Sequence, residues 1–60
     1  MPVVTIVQGE RDLEEKRRLV TAITAVFVEV CGAERRQVEI IFHDVRADQW
    51  AAGGTLLADR

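Results

Sequence analysis

One helix with both ends marked lies between two β-branched runs, and that arrangement leaves a short chain few folds. Asp12 offers the short acceptor side chain of an N-cap, and Glu15 follows three residues on, as a capping box requires. Glu14 adds negative charge to the first turn, where the helix dipole favours it. From Leu13 to about Cys31, Leu19, Ile23, Val26 and Val30 recur at helical intervals, with Ala22 and Phe27 widening the stripe. Gly32 suits the C′ position that ends a helix. Before the helix, Pro2 to Val7 predicts a strand apolar enough for burial on both faces, followed by the polar break Gln8-Gly9-Glu10-Arg11. After it, the polar connector Ala33 to Gln37 leads to a second strand, Val38 to Val45. There Val38, Ile40 and Phe42 alternate onto one face, and Glu39, Ile41, His43 and Val45 onto the other. Strand, helix and strand with short links make a βαβ unit with parallel strands and a right-handed crossover.

The chain has 60 residues, which predicts one domain spanning 1–60. A domain of this size buries only about 60% of its unfolded surface and needs a staple or a partner. A single cysteine excludes an intrachain disulfide, and with one histidine no metal cluster is visible. Self-association is the remaining route to stability. The outer helix face, with Ala25, Val28 and Cys31, is apolar enough to meet another subunit. Arg46 to Gln49 forms a loop leading to Trp50, and Ala51 to Gly54 is small and flexible. Thr55 to Ala58 reads as a short strand or helical turn pairing with a neighbouring subunit. A net charge of −2 argues against nucleic acid or an anionic membrane as partner. No secretory signal is visible, no apolar stretch approaches the ~20 residues of a membrane span, and the lone thiol fits a cytoplasmic location.

Taken in order, these pieces resemble a known family: Met1-Pro2 opening a strand, an arginine just before a capped helix, a second strand, and the segment Asp48-Gln49-Trp50-Ala51-Ala52-Gly53-Gly54 with an aromatic before Gly-Gly. The whole chain resembles the 4-oxalocrotonate tautomerase family. The resemblance implies an α+β tautomerase-like fold, in which a βαβ protomer with a short C-terminal strand or hairpin dimerises into a four-stranded sheet. It implies a homohexamer, a trimer of such dimers. It further implies a cofactor-independent isomerase whose amino-terminal proline, after Met1 is removed, acts as general base or acid on 2-oxo acids or their enols.

Pro2 has a physical case independent of the family. An α-amine titrates near 8, burial lowers it further, and a base near neutrality suits proton transfer. The plainer alternative is an ordinary strand start. The resemblance gives Arg11 the substrate carboxylate, a task suited to its planar fork, whereas an arginine met alone in a loop is a solvated charge. It gives Trp50 the pocket wall, a place compatible with a plain interface tryptophan. At Glu39 the sequence departs from dicarboxylate-specific members, which carry arginine there. An acid repels a second substrate carboxylate, so a monoacid is expected, with Arg35, Arg36 or Arg46 as other sources of positive charge. The plainer reading of Glu39 is a solvated or salt-bridged strand residue. Glu39 as a water-activating group in a hydratase or dehalogenase is the first functional alternative, and a non-catalytic subunit of a hetero-oligomer the second. His43 and Asp44 point to opposite strand faces and suit surface or interface roles. Cys31 reads as a small buried hydrophobe, and Glu14-Glu15-Lys16-Arg17-Arg18 as a solvated helix face.

Overall fold

In the computed structural model, which describes residues 1–60, the two β-branched runs form parallel strands. They are β1 (Val3–Gly9) and β2 (Glu39–Val45), paired in register from Val3 opposite Glu39 to Gly9 opposite Val45. β1 thus runs two residues past Val7, through Gln8 to Gly9, because the ladder to β2 continues there. Between the strands runs α1 (Leu13–Cys31). The Asp12 side chain accepts the Glu15 N–H at 2.8 Å, as the N-cap signature requires. At the other end Gly32 takes a left-handed conformation (φ 67°), its N–H bonded to Val28 O and that of Ala33 to Phe27 O. The Gly32-to-Val28 bond is the αL closure of a helix end, a conformation that a residue with a Cβ adopts only at a cost. A 3-10 turn (Arg35–Gln37) then delivers the chain to β2.

α1 covers one face of the sheet. Val4 and Ile6 from β1, and Ile40 and Phe42 from β2, turn toward it and are half-buried, as are Leu19, Ile23, Phe27 and Val28 of the helix. The expected helix stripe is therefore rotated. Val28 faces inward, whereas Val26 and Val30 lie exposed. Cys31 is exposed too, contrary to its expected burial, on the outward side of the last helical turn with Val30.

The other sheet face is bare. Val3, Val7 and Ile41 are 56%, 58% and 47% exposed, so the expected two-sided burial of β1 is not met within one protomer. Thr24 is the one fully buried residue, and no apolar side chain is. The chain thus has apolar strand faces but no closed core of its own.

After β2, a 3-10 turn (Ala47–Gln49) leads to a hairpin of β3 (Ala51–Ala52) and β4 (Thr55–Leu56). Gly53 and Gly54 have φ of 62° and 83°, the pair of positive values that a type I′ turn demands. Thr55–Leu56 is a short strand, as expected, and this turn folds it back to pair with Ala51–Ala52 of its own chain. A final 3-10 turn (Leu57–Asp59) follows, and the Arg60 guanidinium donates to the Ala52 carbonyl at 2.9 Å. No helix is long and apolar enough to cross a membrane.

Candidate active site

The four residues singled out from the sequence fall at two ends of one sheet. Pro2 lies half-buried just ahead of β1, and its carbonyl accepts the Glu39 N–H at 3.0 Å. Proline suits this place, since a strand start asks for an acceptor and not for the N–H that proline lacks. Glu39 therefore begins β2 directly beside Pro2, with its side chain on the exposed sheet face. In this chain the Pro2 nitrogen is in peptide linkage to an exposed Met1.

Arg11 lies beyond the opposite end of β1, in the short link to the helix. Its Nη1 is 3.5 Å from Glu15 Oε2 across one helical turn. Such an exposed pair is worth at most about 1 kcal/mol, so Arg11 is readily released to a better carboxylate. Arg11 also lines an open hollow of about 410 Å³ with Gln8, Glu15, Arg18, Leu19 and Ala22. Trp50 follows the 3-10 turn after β2 and opens the hairpin. It is half-buried, and its carbonyl accepts the Leu57 N–H at 2.8 Å. Because β2 is parallel to β1, the chain leaves it at the Gly9 end, away from Pro2.

The structure therefore brings Pro2 and Glu39 together at one end and places Arg11 at the other. Of the arginines considered as further positive charge, Arg36 is engaged by Glu34 at 2.9 Å and Arg46 by Asp48, while Arg35 forms no ion pair. The Asp48 carboxylate, bonded to Arg46, raises the guanidinium pKa, and the charge of Glu10 adds to that rise.

Sequence reasoning missed the most connected polar group near Arg11. Asp44 faces α1, not the surface or an interface as expected, and binds Lys16 Nζ at 2.5 Å and Gln8 Nε2 at 3.5 Å. The hydrogen bond from Lys16 holds the Asp44 carboxyl below the ordinary carboxylate range. Burial opposes this, and Gln8, the Lys16 charge and the Arg11 backbone N–H add to the lowering. Lys16 also stands 5.6 Å above the Phe42 ring, so the run Glu14 to Arg18 is not wholly solvated. Strand parity carried the signal, since Asp44 shares the inward side of β2 with Ile40 and Phe42.

A strand-borne proline, a loop arginine, one covering helix and a glycine-turned hairpin now have a match. The family model described as "Tautomerase enzyme" matches residues 2–60. The chain belongs to the tautomerase family. A probable tautomerase (RSp1151) of Ralstonia nicotianae is 30% identical over 60 residues, covering 98% of this chain and 92% of that protein. Among solved structures, the 4-oxalocrotonate tautomerase homologue TTHB242 superposes with a TM-score of 0.93 at 39% identity, covering 100% of this chain and 97% of the other. YwhB, also a 4-oxalocrotonate tautomerase homologue, does so with a TM-score of 0.89 at 33% identity, covering 98% of each. The α+β fold with parallel strands, one helix and a C-terminal hairpin is thus the fold of 4-oxalocrotonate tautomerase homologues. The first residue that the family model matches is Pro2.

Proposed function

We propose that this tautomerase moves a proton in 2-oxo acids or their enols, with Pro2 as general base and then general acid once Met1 is removed. The observation that carries the reading is the setting of Pro2 in a chain of this family: half-buried, at the start of β1, and tied through its carbonyl to β2. Freed of Met1, its nitrogen is a secondary amine on a fixed support, and such positioning is a large part of proton-transfer catalysis. It takes the proton from the enol hydroxyl and returns it to carbon, giving the keto acid. Arg11 clamps the carboxylate and stabilises the negative charge of the enolate. Trp50, at the same end of the sheet as Arg11, shields the Pro2 amine of a neighbouring subunit from water and keeps it neutral. None of these steps calls on a metal or an organic cofactor.

The separation of Pro2 from Arg11 means that the two meet only across subunits. The exposed Val3, Val7 and Ile41 face and the lack of a closed core supply the reason to associate. We assign a homohexamer, a trimer of dimers, and a cytoplasmic setting. With Glu39 beside Pro2, the substrate carries one carboxylate, because a second would meet an acid. The same adjacency favours one other reading, a hydratase or dehalogenase in which Pro2 is the acid and Glu39 activates water.

The test is intact mass on the active preparation together with rates on phenylenolpyruvate and 2-hydroxymuconate. Loss of Met1 and a preference for the monoacid are expected. Full activity with Met1 retained overturns the proline mechanism. Hydration of an acetylenic acid or dehalogenation of a halogenated acrylic acid, with no ketonisation of either enol, selects the alternative.

A further inference from the structure

We propose that Asp44 is the positioning residue of the Arg11 loop, clamping the strand end on one side of Arg11 and the first turns of the helix on the other. This rests on the reading of Arg11 as the carboxylate clamp and goes beyond it. The loop is tied to the helix through the N-cap Asp12, but the Arg11 side chain has no firm anchor of its own. Between Gly9, the last residue of β1, and Leu13, the first of α1, lie three residues without regular structure. The only hydrogen bond or ion pair of the Arg11 side chain is that with Glu15, and the two side chains are 57% and 39% exposed. A pair so exposed does not fix a guanidinium in space.

Asp44 supplies what the loop lacks, from a third element. One carboxylate oxygen, Oδ2, takes Lys16 of α1, and the other, Oδ1, takes Gln8 of β1. Gln8 is also the register partner of Asp44 across the parallel ladder. The two anchored residues stand three before and five after Arg11 in the chain. The Lys16–Asp44 pair is more sheltered than the pair at Arg11, at 26% and 21% side-chain exposure. An acid on the helix-facing side of β2 loses hydration, and stability alone would be served as well by an apolar residue there. A carboxylate tying two elements around a substrate-binding arginine accounts for the choice, because a misplacement of about 1 Å in a binding group costs up to ~100-fold in rate.

The experiment is a double-mutant cycle in the mature oligomer, read as KM and kcat on phenylenolpyruvate. Arg11→Ala is expected to raise KM roughly ten-fold or more, and Asp44→Leu to raise it by a similar factor with kcat changed less. The double variant is then no worse than Arg11→Ala alone, because Asp44 acts through Arg11. Asp44→Leu keeps the site filled with an apolar group, so its fold is retained, which circular dichroism and the oligomeric mass verify. Asp44→Asn, which keeps hydrogen-bonding groups for both neighbours, recovers most of the loss. If Asp44→Leu does not fold, Lys16→Met and Gln8→Leu, each cutting one arm of the clamp, replace it in the same cycle. A raised KM in Arg11→Ala beside an unchanged KM in Asp44→Leu overturns the clamp alone. So does a double variant whose loss is the product of the two single losses. An Arg11→Ala enzyme with unchanged KM overturns the role of Arg11, and the clamp with it.

Discussion

Pro2 and Arg11 flank β1 at opposite ends. The seven-residue strand between them spans about 23 Å at 3.3 Å per residue, so no side-chain motion joins the two within one protomer. Each protomer instead offers a proline at one end and an arginine at the other, a division that a symmetric assembly can close.

That division predicts complementation. Pro2→Ala and Arg11→Ala homo-oligomers are each expected to be strongly impaired. Unfolded together and refolded as a 1:1 mixture, they regain activity, because roughly a quarter of the sites in a random assembly combine an intact proline from one subunit with an intact arginine from another. Refolding each alone is the control, and a mixture no more active than its components shows that the two residues do not share a site between subunits.

Glu39 sets the charge next to Pro2, and reversing it should change substrate preference. Glu39→Arg replaces repulsion by a charge-assisted hydrogen bond, worth about 1.5–3 kcal/mol. The ratio of kcat/KM on 2-hydroxymuconate to that on phenylenolpyruvate is expected to rise ten-fold or more. An unchanged ratio in a well-folded variant would remove Glu39 from the determinants of specificity.

The C-terminal hairpin turns on Gly53 and Gly54, and its energetic role can be tested there. Gly54 has φ of 83° with open space where a Cβ would sit. Gly54→Val therefore meets no steric neighbour, and its cost is backbone strain alone, about 1–2 kcal/mol. Thermal unfolding should register that loss, while an unstrained turn would leave the midpoint where it was.

The elements could be foreseen because their signals are local. Asp12, Glu15 and Gly32 cap a helix through atoms a few residues away, and the β-branched runs declare strands without reference to anything distant. The errors lie where partners are remote. Val26 and Val30 fit a helical stripe as well as Val28 does, and only the position of the sheet decides which face turns inward. Asp44 drew attention through its neighbour His43, whereas its contacts come from Lys16, 28 positions earlier, and from Gln8, 36 positions earlier. For the site, the resemblance named Pro2, Arg11, Trp50 and Glu39. Their distribution over two ends of the sheet required the parallel register.

Trp50 is proposed to keep the Pro2 amine of a neighbouring subunit dry, and this has a signature in pH. Burial disfavours the ammonium form and depresses the amine pKa. Trp50→Ala admits water, so the amine returns toward its ordinary value of about 8 and less of it is free base at neutrality. The acid limb of the kcat/KM profile should move to higher pH. An unmoved limb with a lower plateau would mean that the tryptophan holds the substrate without tuning the base.

Asp44 makes stability depend on pH in a definite direction. Its folded pKa lies below the unfolded value because Lys16 hydrogen-bonds the carboxylate. A group depressed in this way stabilises the fold above its unfolded pKa, about 3.9 for aspartate, and the contribution disappears as pH falls through the folded value. Asp44→Asn has no such proton to take up. At neutral pH the variant is expected to be less stable than the parent, and the gap should close as pH falls through the folded pKa of Asp44, since the parent is then protonated at this position too. Urea denaturation of both proteins over that range, at one protomer concentration because unfolding is coupled to assembly, measures the gap. A difference that stays constant with pH would show that the Asp44 carboxylate is not held in its charged form by Lys16.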